Sequence, residues 1–334
     1  MWIKIRNYLF LLIICGPLCA EVQAAPARHA AAAPAIAGEK PDGAERDLHA
    51  WCNSVTLAIP QIKLKPCVAA ELKPVAAKSV KGRYIMLREF KPAQPPAARV
   101  LVIGGIHGDE LTSASIVFRW LEILQQPNNV ASPYHWRVIP VLNPDGLLAR
   151  PPTRVNARGV DLNRNFPTYN WLKEAPRYWE AKTRRDPRRY PGKAPASEPE
   201  SRWLHDEIVR FKPDVIVSIH APYGVLDFDG PATGVEAPSR FGRLHLNRVG
   251  VYPGSLGNFG GLKEGIPVVT LELPNAYKMP TEAEQTQVWL DMQRWLRINL
   301  IERRMASPAV AAMPTAPTTP GEHAVTPDET VTSQ

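Results

Sequence analysis

The stretch GGIHGDEL, residues 104–111, follows the apolar run RVLVIGG and sets an imidazole, His107, three positions before a carboxylate, Glu110. On its own, H-x-x-E is ordinarily a polar turn whose acid caps a helix. With a distant third ligand it can do more. Hydrolytic zinc sites hold the ion with three protein ligands and leave the fourth position open. A candidate third ligand is His220, which ends the apolar run DVIVSIH at 214–220. Taken alone, His220 reads equally well as a satisfied core residue; its exit from a buried strand, like that of His107, favours the ligand. A further acid, Glu272, closes the run IPVVTLEL at 266–273.

A second group of residues suits anions. NPDG at 143–146 is followed by TRVNARGVDLNRNFP at 153–167, which packs Arg154, Arg158, Asn163 and Arg164 into one short loop. A turn followed by surface charge is the plainer explanation. Burying such charges without an anionic partner is costly, however, and the guanidinium fork matches a carboxylate bidentately. An arginine beside a metal also suits a developing oxyanion.

The elements that position these residues follow from hydrophobic periodicity. Strands are expected at 83–90, 99–105, 136–142, 214–220 and 266–273. The middle three are apolar throughout, as strands buried on both faces are. Helices are expected at 110–126, 198–211 and 281–303, the last opened by Thr281 and Glu284 in capping-box spacing. This alternation argues an α/β sandwich around a mostly parallel sheet. Ligands bind at the carboxyl ends of strands in such sheets, and His107, Asn143, His220 and Glu272 all fall at or just past strand ends.

The flanks differ in character. Residues 1–24 carry Lys4 and Arg6 before the apolar stretch 8–19 and small residues near Ala24. That is the grammar of a cleaved signal peptide, too short to span a bilayer. Residues 25–46 are Ala/Pro-rich and read as a disordered linker, and 307–334 as a disordered tail. One domain is expected at 47–306. Cys52 and Cys67 then remain after cleavage, and an oxidising compartment favours a disulfide between them. The formal net charge of +8 suits an acidic substrate or an anionic envelope surface. Nucleic acid is a poor partner, because RRDPRRYPGK at 184–193 is a proline-broken loop outside any recognised binding module. No other segment is long and apolar enough to span a membrane. His29, His49, His135, His205, His245 and His323 lack a paired acid at ligand spacing and read as surface or packing residues.

In order along the chain, HGDE, NPDG, GVDLNRNFP, SIH and TLEL resemble the blocks of the zinc metallocarboxypeptidase family, which includes pancreatic carboxypeptidase A. The resemblance covers roughly residues 80 to 300, and five ordered blocks make it specific. It implies an α/β fold: a three-layer α/β/α sandwich with a mixed, mostly parallel central sheet. It implies one zinc per chain on His107, Glu110 and His220, with Glu272 as general base. Asn163 and Arg164 would hold the substrate's terminal carboxylate. The oxyanion arginine precedes DLNRN and is Arg154 or Arg158, with Arg154 preferred. Within the family, PASEPES at 195–201 and YPGSLG at 252–257 are most similar to bacterial murein peptide amidases. Those enzymes cut between γ-D-glutamate and meso-diaminopimelate. The implied protein is a periplasmic or secreted monomer acting on murein-derived peptides, with no stable membrane insertion once the signal is removed. Digestive members carry a tyrosine ahead of the catalytic Glu; here the region reads YPGSLGNFGG, a reshaped pocket, and no catalytic role is transferred to Tyr252. The proline- and arginine-rich loop 173–200 has no assigned role beyond walling the cleft. A deacylase of the aspartoacylase or succinylglutamate desuccinylase type shares HG-x-E and a DLNR-like block, but acts on cytosolic metabolites. A catalytically dead envelope-binding module would not need the full set of ligands, base and arginines.

Overall fold

The computed structural model describes residues 43–92, 98–126, 132–231 and 234–303, all within one structural unit. The expected signal peptide, most of the expected linker and the expected tail lie outside the described residues. Helices α1 (Gly43–Ala58) and α2 (Leu64–Ala69) lead into strands β1 (Lys73–Lys78), β2 (Tyr84–Phe90) and β3 (Ala98–Ile103). Then follow α3 (Leu111–Leu124), β4 (Tyr134–Ile139), the single turn α4 (Pro144–Leu147), α5 (Trp171–Ala181) and α6 (Pro199–Phe211). The chain continues through β5 (Val215–His220), β6 (Val225–Asp229), β7 (Arg240–Phe241), β8 (Leu244–Leu246), β9 (Val268–Glu272) and α7 (Glu282–Leu296).

The nine strands form one sheet in the order β1-β2-β4-β3-β5-β9-β6-β8-β7. The four central strands, β4, β3, β5 and β9, are parallel neighbours. Antiparallel pairing adds β2 and β1 at one flank and β6 at the other, where β8 lies parallel to β6 and β7 closes the edge. The central strands are buried on both faces, which is why their sequences run apolar without alternation. Period-two geometry divides those side chains between two cores. Val100, Val102, Val215, Val217 and Ile219 face the helices α1, α3 and α7, with Trp51, Ile116, Trp120, Trp289 and Met292. Leu101, Ile103 and Ile216 face the opposite layer, with Leu204 and Ile208 of α6, Phe166 and Phe259. Full burial of such a side chain contributes roughly 1.5–3 kcal/mol.

The expected strands and helices at 83–90 through 281–303 are present with ends shifted by a few residues. Thr281 and Glu284 form the capping box at the start of α7, which loosens into a π-helical turn at 297–302. Two differences are structural. The first helix begins at Gly43, so residues 43–46, read as the end of the linker, form its first turn. Helices α1, α2 and α5 and strands β1 and β6 to β8 were not anticipated, because their apolar residues are few or interrupted.

Cys52 of α1 and Cys67 of α2 are fully buried and joined by a disulfide across 15 residues of chain. The bridge staples two short helices that together cover one end of the sheet's first face. Replacing both cysteines by serine is expected to cost about 3 kcal/mol of stability in the chain-entropy account. Urea unfolding of the two proteins measures it, and coincident midpoints would show that the bridge constrains nothing.

Candidate metal centre and its cleft

Because β3, β5 and β9 run parallel, their carboxyl ends deliver side chains to one edge of the sheet. The chain leaves β3 through Gly104 and Gly105 and turns at His107 before α3 begins. That turn crosses the NPDG turn at backbone contact: a Cβ on Gly108 would lie 2.1 Å from the Gly146 carbonyl carbon. The glycine is therefore required by close approach. His220 is the last residue of β5 and pairs in register with Glu272, the last of β9.

The three predicted ligands meet. His107 Nδ1 lies 2.7 Å from Glu110 Oε1, His220 Nδ1 3.1 Å from Glu110 Oε2, and the two Nδ1 atoms are 3.2 Å apart. All three residues are buried, and among the described residues they form a group able to hold a metal ion. His107 Nε2 lies 3.1 Å from Asp161 Oδ1. A carboxylate only accepts, so the ring carries its proton on Nε2 and turns the Nδ1 lone pair inward. Lone pairs from two imidazoles and a carboxylate repel unless a cation sits among them. Two nitrogens bound tetrahedrally to one zinc stand roughly 3.3 Å apart at ordinary bond lengths, which fits the spacing here. The acids around the cluster favour positive charge there, whether a proton or a metal ion supplies it. Burial and Arg154 oppose a charge on His107, yet Glu110 and Asp161 raise its pKa above the ordinary value. Burial would raise the Glu110 carboxyl, but His107 and His220 hold it well below the usual range.

Asp161 was not singled out in the sequence, and it organises the site. Its carboxylate accepts from Arg154 Nε at 2.9 Å and from the Asn163 amide at 3.0 Å, besides holding His107. Burial opposes its charge, but Arg154 and His107 keep the carboxyl well below its ordinary range. The only sequence signal was its place inside GVDLNRNFP, where an aspartate also reads as a turn cap. Asn143 caps α4 through the Gly146 amide and donates from Nδ2 to the Arg154 carbonyl, so the NPDG block scaffolds the arginine loop. PASEPES does the same from the other side: Glu198 and Glu200 accept from Asn156 Nδ2.

The cleft has a volume of about 340 Å³ and is lined by His107, Glu110, Arg154, Asn163, Arg164, His220 and Glu272. All seven residues named from the sequence thus converge. Arg158 does not; it points to Glu198 with its side chain 55 % exposed. Of the two arginine candidates, Arg154 is the one brought to the cleft. Asp186, Arg188 and Arg189 also line it, so the 173–200 loop forms a wall, tied to the HGDE turn by an Arg188–Asp109 ion pair of 2.7 Å. Arg164 is buried with Nε unpartnered, its guanidinium 4.5 Å from the Tyr252 ring centroid. The Tyr252 hydroxyl donates to the Val249 carbonyl. Glu272 has an unpartnered Oε2, and burial raises its pKa, with Glu110 adding and His220 opposing.

Two further acids were missed. Asp227 and Asp229 of β6 line the same cleft. The alternation VLDFD reads as a strand with a solvated face, but here that face turns into the cleft and both acids are buried. Burial, reinforced by Asp227, pushes the Asp229 carboxyl up to about 7 against the pull of Arg248.

Comparison with known proteins places this arrangement. The family profile of zinc carboxypeptidases matches residues 70–230. Murein peptide amidase A of Escherichia coli K12 is 34% identical over 169 residues, covering 44% of this chain and 67% of that protein. Murein peptide amidase A of Vibrio campbellii is 34% identical over 204 residues, covering 59% of this chain and 77% of the relative. The crystal structure of thrombin activatable fibrinolysis inhibitor superposes with a TM-score of 0.53 at 17% identity, over 81% of this chain and 75% of that one, a likeness of fold.

Two outcomes follow from the site's electrostatics. Asp161→Asn removes the acceptor that fixes the His107 tautomer, so metal affinity is expected to fall about 10- to 100-fold; competition with a chromogenic chelator reads it, and an unchanged affinity would remove Asp161 from the metal's support. Asp229→Asn is expected to stabilise the protein at pH 8 by roughly 2–4 kcal/mol. The sign follows from the raised folded pKa. As pH climbs from about 4 to 7 the unfolded carboxyl ionises while the folded one resists, so wild-type stability falls across that window and levels off above it. Chemical unfolding at pH 4 and pH 8 should therefore show the variant's advantage only at the higher pH.

Proposed function

The chain belongs to the zinc carboxypeptidase family, a family of hydrolases, and on that premise we propose that it is an exported zinc peptidase of murein peptides. The bond cleaved is that between γ-D-glutamate and a C-terminal diaminopimelate-type residue. One observation carries this reading: the same cleft sets the carboxylate-matching pair Asn163 and Arg164 beside the His107–Glu110–His220 cluster. A site for a free carboxylate next to a metal centre defines hydrolysis at the end of a peptide. The relatives named murein peptide amidase support the substrate class. The amino-terminal signal and the Cys52–Cys67 bridge support an oxidising, periplasmic location. No helix among the described residues is long and apolar enough to cross a membrane.

His107, Glu110 and His220 would hold the ion, with Asp161 fixing the His107 ring from behind. Zinc in this position supplies Lewis acidity, making water a better nucleophile and a carbonyl a better electrophile. The chain's own groups do the rest. Glu272 stands in register with His220 and keeps one buried oxygen without a partner. That oxygen accepts the proton of the attacking water and returns it to the leaving amine. Arg154, anchored by Asp161, faces the negative charge that develops on the carbonyl oxygen. Arg164 and Asn163 hold the leaving residue's carboxylate and so fix the register of the scissile bond. Tyr252 braces the Arg164 guanidinium with its ring.

Mass spectrometry of muropeptides incubated with the zinc-loaded protein tests the substrate; release of the terminal diaminopimelate-type residue is expected, and intact peptides would reject the proposal. Arg164→Ala should lower kcat/KM by one to three orders of magnitude, roughly 1.4–4 kcal/mol of transition-state binding. Amidating the substrate's C-terminus should slow the wild type far more than the variant, because both changes remove one contact. Independent, multiplying effects would place the carboxylate elsewhere.

A further inference from the structure

The arginine-rich stretch RRDPRRYPGK, read from the sequence as a proline-broken loop, forms a fixed wall of the cleft. Pro187–Arg189 is a single 3-10 turn capped by Asp186, whose Oδ1 accepts from the Arg188 amide at 2.9 Å. The turn is pinned at both ends. Trp179 Nε1 donates to the Asp186 carbonyl at 2.7 Å, and the Asp161 amide donates to the Tyr190 carbonyl at 2.8 Å. Asp161 also holds His107 and Arg154. The wall is therefore built on the same residue as the candidate metal centre, and its side chains keep a set position relative to it.

Arg154, Arg164, Arg188 and Arg189 all line the cleft, and the proposed reaction uses only the first two. The other two point to different ends. Arg189 lies near Asp186, at 3.6 Å, and its charge bears on Arg164 and Tyr252, the carboxylate-holding end. Arg188 turns the other way. It meets Asp109 Oδ2 at 2.7 Å, one residue before Glu110, and the Asp109 charge bears on Arg154. Arg188 is thus held at the reacting end. Asp109 is its only side-chain partner among the described residues, and the Arg188 side chain stays 58 % exposed. A guanidinium carries five N–H donors in a planar fork, so most of this one is unused. An exposed ion pair contributes little to stability, and the wall is already pinned by hydrogen bonds elsewhere. An arginine kept there serves a ligand better than it serves the fold.

The substrate's chemistry supplies an anion at that end. A γ-linked glutamyl residue spends its side-chain carboxyl on the scissile amide and keeps its α-carboxylate. That carboxylate lies four bonds from the scissile carbon, roughly 5 Å away in an extended chain with bonds of about 1.5 Å. It sits on the acyl side, away from the residue gripped by Asn163 and Arg164.

We propose that Arg188, aimed by Asp109, binds the α-carboxylate of the γ-linked glutamyl residue, so that the enzyme selects peptides in which this carboxyl is free over those in which it is amidated. This rests on the reading that the cleft hydrolyses γ-D-glutamyl peptides. A carboxylate accepts two parallel N–H bonds from one guanidinium. A carboxamide offers one acceptor oxygen, no charge, and an NH2 whose donors face the arginine's own.

The test compares L-alanyl-γ-D-glutamyl-meso-diaminopimelate with its counterpart carrying an α-carboxamide on the glutamyl residue, using the zinc-loaded enzyme. The wild type is expected to favour the free acid in kcat/KM by about 10-fold or more. Arg188→Ala should bring that ratio toward one. Arg188→Lys should restore part of it, because an ammonium keeps the charge without the fork. Arg189→Ala should keep the wild-type ratio. A folding defect slows both peptides together and leaves the ratio intact, so the ratio isolates the contact. A wild-type ratio near one, a ratio unmoved in Arg188→Ala, or a collapse in Arg189→Ala alone would overturn the proposal while leaving the peptidase reading in place. Hydrolysis of neither peptide, with muropeptides also intact, would overturn that reading and this proposal together.

Discussion

Asp161 is a charged group with no exposed surface, and three parts of the cleft lean on it at once. His107 Nε2, Arg154 Nε and the Asn163 amide all converge on its carboxylate. An isolated carboxylate could not stay ionised at that depth. Each neighbour therefore does two jobs, satisfying the acid and being held by it. The tautomer of His107, the direction of Arg154 and the first turn of DLNRN are consequently not independent. Displacing one leaves the acid short of a donor and loosens the other two. This is how a loop rich in arginine keeps a fixed shape with little regular secondary structure, helped from outside by Asn143, Glu198 and Glu200.

The sheet supplies the second constraint. Four central strands run parallel, so the turn after β3 and the ends of β5 and β9 arrive at a common edge. β6 runs the other way. Its first residue is level with Glu272 and its later ones descend along the cleft, which is why the His107–Glu110–His220 cluster sits at the top and the aspartates beneath. Parallel strands thus place the candidate reacting groups, and one antiparallel strand gives the pocket its depth.

What could be read from the sequence divides along physical lines. His107, His220 and Glu272 stand out because a polar group at the end of an unbroken apolar run is costly unless used. The central strands were legible for the same reason. Asp161 was not, because an aspartate within a polar loop looks like an ordinary cap, and it does cap Asn163. Arg154 and Arg158 could not be separated by spacing: four residues apart and alike in chemistry, they differ only in which acid each meets in space. Asp227 and Asp229 were hidden by alternation, since the pattern marks a polar face without saying whether water or a cleft adjoins it. The helix α1 was obscured by an Ala/Pro-rich approach that ends only at Gly43.

Charges of opposite sign lining one small cleft would neutralise each other if they touched, and the pocket would close on itself. Arg154 and Arg188 do pair with acids of the cleft, but Arg164 and the aspartates of β6 are not paired with each other among the described residues. Arg164 spends its guanidinium on the Tyr252 ring and the Asn163 carbonyl, leaving Nε without a partner. Asp229 rests against Gly257 and forms no ion pair among the described residues. The segment 252–257 carries both contacts, Tyr252 at one end and Gly257 at the other. It therefore works as a spacer that holds a cation and two anions in the same cleft yet out of mutual reach. Interactions of this kind weaken the folded chain, since each unpaired group would be more stable in water.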